Sequence, residues 1–299
     1  MSSSASAPLK LNLCLHVTGR RADGYHTLET VVVFAALADR LEVREGEGLA
    51  LTLGGEFAGD TGSVEDNLVL RAARVLRERT GCRRGAALSL EKNIPAGAGF
   101  GGGSADAAAA LRLLNGFWKL GLSEKELAAI GIALGADVPM CLASRPLLAR
   151  GIGEEIAPLD APLPPLHAVL AWPRRKLATK DVFAAFDGRT HHCERSESGE
   201  PVHPAPPLRH GEFFEWLALM RNDLEAPATV LMPQVGEVLQ ALRDASPAPE
   251  FVRMSGSGSG AYALVATAGE AQAIAGAVHA RHPDWWVAAT EIIPSPARP

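Results

Sequence analysis

The stretch 95–108, Pro-Ala-Gly-Ala-Gly-Phe-Gly-Gly-Gly-Ser-Ala-Asp-Ala-Ala, constrains this chain most strongly. Gly97, Gly99, Gly101, Gly102 and Gly103 put five glycines into seven residues, and a helix-forming segment, 107–114, follows at once. Glycine lets backbone N–H groups turn onto an anion without a Cβ in the way. A helix N-terminus adds orphan N–H donors and the positive end of the macrodipole. Together they read as a phosphate cradle. A plain turn rarely sets its glycines directly before so strong a helix. The dinucleotide pattern G-x-G-x-x-G also fits Gly97, Gly99 and Gly102, and its G-x-G-x-x-A form fits Gly256, Gly258 and Ala261. That pattern needs a strand before it, a helix after it and an acidic residue about 20 positions on. The second match instead runs into the strand-like segment 261–265. A Walker loop requires Gly-Lys, and the chain contains no such pair.

Composition narrows the setting. At 299 residues and 47% hydrophobic content the chain can bury a large core, as one large domain or two. Its net charge of −5 offers no general field for nucleic acid. Cys14, Cys82, Cys141 and Cys193 lie far apart without a C-x-x-C pair, which argues against zinc and against a disulfide framework. A reducing cytoplasm is the expected compartment. No run of 18 apolar residues occurs, and 9–17 is apolar only at alternate positions, so neither a membrane span nor a leader core is expected.

The pattern along the chain predicts a mixed α+β protein. Leu9, Leu11, Leu13, Leu15 and Val17 alternate with Lys10, Asn12, Cys14 and His16, which predicts one strand with one buried face. The opposite face of such a strand is usually solvated. Lys10 gains interest only if that face looks into a site. Strands are expected at 27–34, 40–44, 49–53 and 87–92. Asp66 is a candidate cap for a helix ending near Gly81, and Ser123 with Glu126 forms a capping box for a helix over 124–134. The segment 135–139 breaks that helix, and Pro139 suits the first turn of another. Prolines 158, 162, 164 and 165 mark a boundary between domains 1–157 and 158–299. Beyond it a strand at 167–172, helices near 211–219, 235–245 and 270–282, and a strand after the 255–260 turn are expected. The polar, proline-rich segment 188–207 reads as a mobile insertion, and its His191-His192-Cys193 run lacks a further metal ligand at usable spacing.

With these residues in place, the glycine loop resembles the nucleotide-binding motif of the GHMP small-molecule kinases, from Pro95 to Ala107, with Phe100 where leucine is common. The 255–258 turn resembles that superfamily's third motif. The segments 7–13 and 19–30, with Glu65-Asp66-Asn67-Leu68 and Leu134-Gly135-Ala136-Asp137-Val138-Pro139, resemble the 4-diphosphocytidyl-2-C-methyl-D-erythritol kinase family. Ser259-Gly260 extends the third motif with small residues, a departure from it.

The resemblance implies a two-domain GHMP kinase fold, with an N-terminal domain like ribosomal protein S5 domain 2 and a ferredoxin-like C-terminal domain. It implies ATP-dependent phosphorylation of the 2-hydroxyl of 4-diphosphocytidyl-2-C-methyl-D-erythritol in the non-mevalonate, methylerythritol phosphate pathway to isoprenoids. Lys10 and Asp137 take the places of the catalytic lysine and aspartate. By position alone Asp137 reads first as a helix cap. Pro95, Gly97, Gly99, Gly101, Gly102, Gly103 and Ser104 would hold the ATP phosphates, and Asn67 and Leu68 the adenine, with Lys92 a weaker candidate. Ser104 also reads as a plain helix cap or as a hydroxyl near Mg²⁺, with no protein ligand set for the metal identified. Asn12 would orient the methylerythritol hydroxyls, while Tyr25, His26, Thr179 and Phe183 would take the cytidine end. The implied partners are this small substrate and ATP with Mg²⁺, without nucleic acid or membrane, in a monomer or weak homodimer. The alternatives are a GHMP kinase for another alcohol, a nucleotide-binding module without catalysis, and a dinucleotide-dependent oxidoreductase. The Tyr25-His26 loop argues against the first and the Lys10 and Asp137 pair against the second. The third lacks its fingerprint near the N-terminus.

Overall fold

A computed structural model describes residues 3–159, 163–188 and 210–294. The first half runs β1 (Ser3–Asn12), β2 (His16–Arg20), β3 (His26–Arg44), β4 (Leu49–Gly54), α1 (Leu68–Thr80), β5 (Ala86–Glu91), α2 (Gly102–Trp118), α3 (Glu124–Ile132) and α4 (Val138–Ala143). It continues through β6 (Leu147–Arg150), β7 (Glu155–Pro158), β8 (His167–Trp172), α5 (Thr179–Asp187), α6 (His210–Leu219), α7 (Glu225–Leu231) and α8 (Pro233–Arg243). Then follow β9 (Phe251–Met254), β10 (Ala261–Val265), α9 (Ala268–Arg281) and β11 (Trp286–Glu291). The mixed α+β class expected from the sequence is what the chain forms. The expected insertion at 188–207, with its His191-His192-Cys193 run, lies outside the described residues after Gly188.

The chain forms two compact units. One comprises Met1–Lys10, Leu37–Ala96 and Gly101–Ser144; the other comprises Leu11–Ala36, Gly97–Phe100 and Arg145–Pro299. In the first unit β4 runs parallel to β5, and β5 pairs antiparallel with the 40–44 end of β3. Its core comes from α1, which buries Val69, Leu70, Ala72, Ala73 and Leu76, and from α2, which buries Ala105 through Leu111. Small side chains on α2 let α1 approach closely, while Leu88 and Leu90 of β5 fill the sheet side.

In the second unit an antiparallel sheet in the order β11-β8-β10-β9 carries α8 and α9. Val169, Ala171, Ala263, Val265, Val238, Leu242, Ile274 and Val278 share one core. The 30–32 segment of β3 pairs with β6, and β6 with β7.

Three local expectations change. The alternating segment 9–17 is two strands, because Leu15 N–H donates to Arg221 C=O at 2.8 Å and Leu15 bridges Asn222 in parallel. Both faces of that segment are buried, so Lys10, Asn12, Cys14 and His16 are interior residues instead of a solvated face. The segments 27–34 and 40–44 merge into the 19-residue β3, since the intervening 35–39 carries no glycine or proline and Asp39 turns inward to Lys92. The capping box at Ser123 and Glu126 forms as expected. The cap of α1 is Asn67, whose side-chain oxygen accepts from Val69 N–H at 2.9 Å; Asp66 pairs with Ser63 instead.

Candidate active site

In the first unit β1 carries Lys10, and α4 begins after Asp137. Lys10 Nζ donates to Asp137 Oδ2 at 2.7 Å. The lysine side chain is 4% exposed and the aspartate 39%. Asp137 sits at the N-cap position of α4 yet makes no capping bond with its side chain, so its carboxylate is held by the ammonium and remains open to water.

The last part of the glycine loop lies in the same unit. Gly101 has φ 68° and caps α2, which opens on Gly102. The cap is therefore not Ser104, which is the third residue of the helix, half-buried. A Cβ on Gly101 would sit 3.0 Å from Lys10 Cβ and Cε, and one on Gly103 would sit 3.3 Å from Leu68 Cδ1. Crowding by Lys10 and Leu68, with the left-handed φ of Gly101, thus favours glycine at the start of α2. Asn67 is buried and Leu68 half-buried at the start of α1; Pro95 is buried ahead of the loop.

Beneath Gly102 lies a cluster the motifs do not announce. Lys92 Nζ bonds Asp39 Oδ2 and lies 2.8 Å from Asp106 Oδ2. Asp39 Oδ1 accepts from the N–H groups of Asn93 at 2.5 Å and Ile94 at 2.8 Å, the residues that lead into Pro95. A Cβ on Gly102 would approach Lys92 Nζ at 3.2 Å. The Lys92 ammonium is committed to these carboxylates. Burial pushes the Asp106 carboxyl up to about 7; Lys92 opposes that rise and Asp39 adds to it. Its Oδ1 has no partner among the described residues.

The second unit holds the other sequence-marked residues. Asn12 is buried and donates from Nδ2 to Thr30 Oγ1 at 2.8 Å. Thr30 in turn donates to Cys14 C=O at 2.5 Å. Gly97 and Gly99 have φ of 78° and 83°. A Cβ on Gly99 would meet Ser255 C=O at 2.5 Å, and Ser255 Oγ donates to Gly99 C=O at 3.0 Å, so the first and third motifs are packed together. The small extension has a reason as well. Gly260 N–H donates to Ala98 C=O at 2.9 Å, and a Cβ there would strike Phe100 Cζ at 2.5 Å. Ser259 Oγ accepts from Trp172 Nε1 at 3.0 Å.

Tyr25 is 61% exposed, an unusual position for a tyrosine ring with no core to fill. His26 beside it is held on three sides. Its ring stacks on Phe183 at 4.7 Å and 16°, meets Phe186 edge-on at 6.3 Å, and its Nε2 donates to Asp187 Oδ1 at 2.7 Å. Arg20 Nη1 pairs with Asp187 Oδ2 at 3.1 Å. Thr179 Oγ1 shares a hydrogen bond of 2.8 Å with Ser257 Oγ. Asp39, Asp106, Thr30 and Asp187 are the polar residues of these clusters that motif spacing passes over. A lone acid inside an alanine-rich or apolar run is the only signal Asp39 and Asp106 leave in the sequence.

Among the described residues no three His, Cys, Asp or Glu side chains gather to hold a metal ion, and no helix is long and apolar enough to cross a membrane.

The chain matches the family model for the GHMP kinases N terminal domain over residues 67–145 and that for GHMP kinases C terminal over 206–284. It is 46% identical over 284 residues to a 4-diphosphocytidyl-2-C-methyl-D-erythritol kinase of Rhodopseudomonas palustris strain BisB18, covering 94% of this chain and 92% of that one. It is 45% identical to the enzyme of the same name from Parvibaculum lavamentivorans, covering 94% and 95%. A crystal structure of a 4-(cytidine 5'-diphospho)-2C-methyl-D-erythritol kinase superposes with a TM-score of 0.75 at 35% identity, covering 97% of this chain and 99% of that one. A homoserine kinase from Cytophaga hutchinsonii shares the fold at 19% identity, with a TM-score of 0.67 and coverage of 97% and 95%.

Proposed function

The chain belongs to the 4-diphosphocytidyl-2-C-methyl-D-erythritol kinase family of GHMP kinases, and from that premise we propose how its residues perform the reaction. The reaction is ATP-dependent phosphorylation of the 2-hydroxyl of 4-diphosphocytidyl-2-C-methyl-D-erythritol, in the methylerythritol phosphate route to isoprenoids. The observation that carries the division of roles is the 2.7 Å pair of a buried Lys10 and a water-accessible Asp137.

Phosphoryl transfer asks a protein mainly for positioning and charge stabilisation. Asp137 accepts the proton of the attacking 2-hydroxyl, a task that requires a carboxylate within hydrogen-bond reach of the substrate. Lys10 orients that carboxylate and stabilises negative charge as it develops. The N–H groups of the 95–104 loop and the start of α2 hold the ATP phosphates, with Ser104 supplying a hydroxyl and Asn67 and Leu68 flanking the adenine. Asn12, held by Thr30, orients the methylerythritol hydroxyls. The exposed Tyr25 ring gives cytosine a face to stack on, His26 reads its edge, and Phe183 and Thr179 complete that end.

Mg²⁺ enters with ATP. Ser104, in the first turn of α2, would offer its hydroxyl to an ion carried by the phosphates. Bound there, the ion neutralises phosphate charge. A reducing cytoplasm is the proposed setting, supported by Cys14, Cys82 and Cys141 as free thiols. The proposal also keeps the domain boundary near residue 158 and a monomer or weak homodimer.

An ADP-release assay with the cytidine-linked substrate, mevalonate and homoserine tests this reading. Turnover is expected with the first substrate alone. Turnover with either of the others, and none with the first, would replace the substrate while leaving the fold family intact.

A further inference from the structure

Arg112 is the one long charged side chain in the alanine- and leucine-rich run 105–114 of α2. Its Nη1 donates to Leu142 C=O at 2.9 Å, to Ser144 Oγ at 2.9 Å and to Cys141 C=O at 3.4 Å. These groups form the C-terminal end of α4. Its Nη2 reaches Ser6 C=O on β1 at 3.5 Å. One guanidinium therefore bonds both the helix that follows Asp137 and the strand that carries Lys10. Burial lowers the pKa of Arg112, so desolvation of this cation works against its placement there.

The geometry around α4 gives that placement a purpose. The helix has only six residues, too few to be stable by itself, so its position depends on what grips its two ends. At the first turn α3 presses close, since a Cβ on Gly131 would lie 2.8 Å from Val138 Cγ1. At the last turn the orphan carbonyls of the helix meet Arg112, where a cation also complements the dipole. Ser144 closes the helix with φ 46° and donates from Oγ to Cys141 C=O at 2.5 Å.

We propose that Arg112 is a positioning residue for phosphoryl transfer: by clamping the C-terminal end of α4 it fixes Asp137 opposite Lys10, without touching either substrate. The inference rests on the reading of Asp137 as the base. Without Arg112 the last turn of α4 keeps its apolar packing through Leu142 but loses its hydrogen-bonded clamp, and the helix shifts, carrying the carboxylate out of place. Misplacement of a reacting group by 1 Å can cost about 100-fold in rate, so a partial release is expected to lower kcat by about 10-fold.

The test compares Arg112→Met, Arg112→Lys, Asp137→Asn and the double variant Arg112→Met/Asp137→Asn, with kcat and KM measured for ATP and the cytidine-linked substrate. The proposal expects kcat to fall in Arg112→Met with both KM values held. It expects partial recovery in Arg112→Lys, which keeps one donor. In the Asp137→Asn background Arg112→Met is expected to change kcat little, because a residue that acts through Asp137 has nothing left to position. Wild-type kcat in Arg112→Met beside a slow Asp137→Asn would overturn the inference alone. So would a full additional loss in the double variant. Wild-type kcat in Asp137→Asn would overturn the base assignment and the inference together. Should Arg112→Met not fold, Arg112→Lys made in both backgrounds decides by the same non-additivity.

Discussion

Two lysine–aspartate contacts in the same compact unit, Lys10 with Asp137 at 2.7 Å and Lys92 with Asp106 at 2.8 Å, are nearly equal in length and opposite in design. Asp137 opens to water, with 39% of its side chain exposed. Asp106 is 4% exposed and Asp39, the other partner of Lys92, is fully buried. A buried ion cluster is weak evidence for stability, because removing charges from water costs about as much as pairing returns. Breaking it is another matter, since it strands a charge in the interior. The difference teaches that a short lysine–carboxylate contact identifies neither chemistry nor architecture. What separates them is whether the carboxylate can still reach a ligand. In the proposed mechanism the open pair takes a proton from the substrate; the sealed one ties Asn93 and Ile94, ahead of the glycine loop, to Asp106 behind it.

The comparison breaks most visibly at the open pair. Asp137→Asn keeps the shape and removes the proton acceptor, so kcat is expected to fall by about 10²–10⁴-fold, with KM for ATP and the urea midpoint held. A fall in stability without one in kcat would give Asp137 the role assigned to the sealed cluster. Next in size is a loss of affinity away from both pairs. Tyr25→Ala removes an exposed ring and so little packing; the cytidine-linked substrate should bind about 5- to 150-fold more weakly by calorimetry. Unchanged binding would return the 19–30 loop to a structural role.

The smallest effect sharpens the sealed side. Because burial raises the Asp106 pKa from 3.8 to about 7, the native state keeps this proton where the unfolded chain has released it. Native stability, measured against Asp106→Asn, therefore falls as pH rises from 3.8 to about 7 and is level above that window. Urea melts of both proteins across that range check the slope; parallel curves would remove the raised Asp106 pKa from the account.

Some of this was open to reading in the sequence. Ser123 and Glu126 announce their helix because a capping box is local. The glycine loop announces α2 for the same reason. Lys10 and Asp137 lie 127 residues apart, and only the likeness to a family singles them out together; position alone leaves Asp137 as a helix cap. The sealed cluster was not legible. Lys92 reaches Asp39 across 53 residues, and no periodicity encodes that pairing. The burial of both faces around Lys10 escaped as well, since strict alternation normally means one wet face. Asp66 and Asn67 are adjacent residues of similar capping strength, and which of them starts α1 depends on Ser63, which takes Asp66 out of contention.

The most direct measurement sets Lys10→Met beside Lys92→Met, with kcat from ADP release and stability from urea melts on the same preparations. The account predicts that Lys10→Met loses at least about 10²-fold in kcat and keeps its midpoint. It predicts that Lys92→Met loses about 3–5 kcal/mol of stability while its folded fraction turns over near the wild-type rate. A stable, slow Lys92→Met beside a fast Lys10→Met would contradict it.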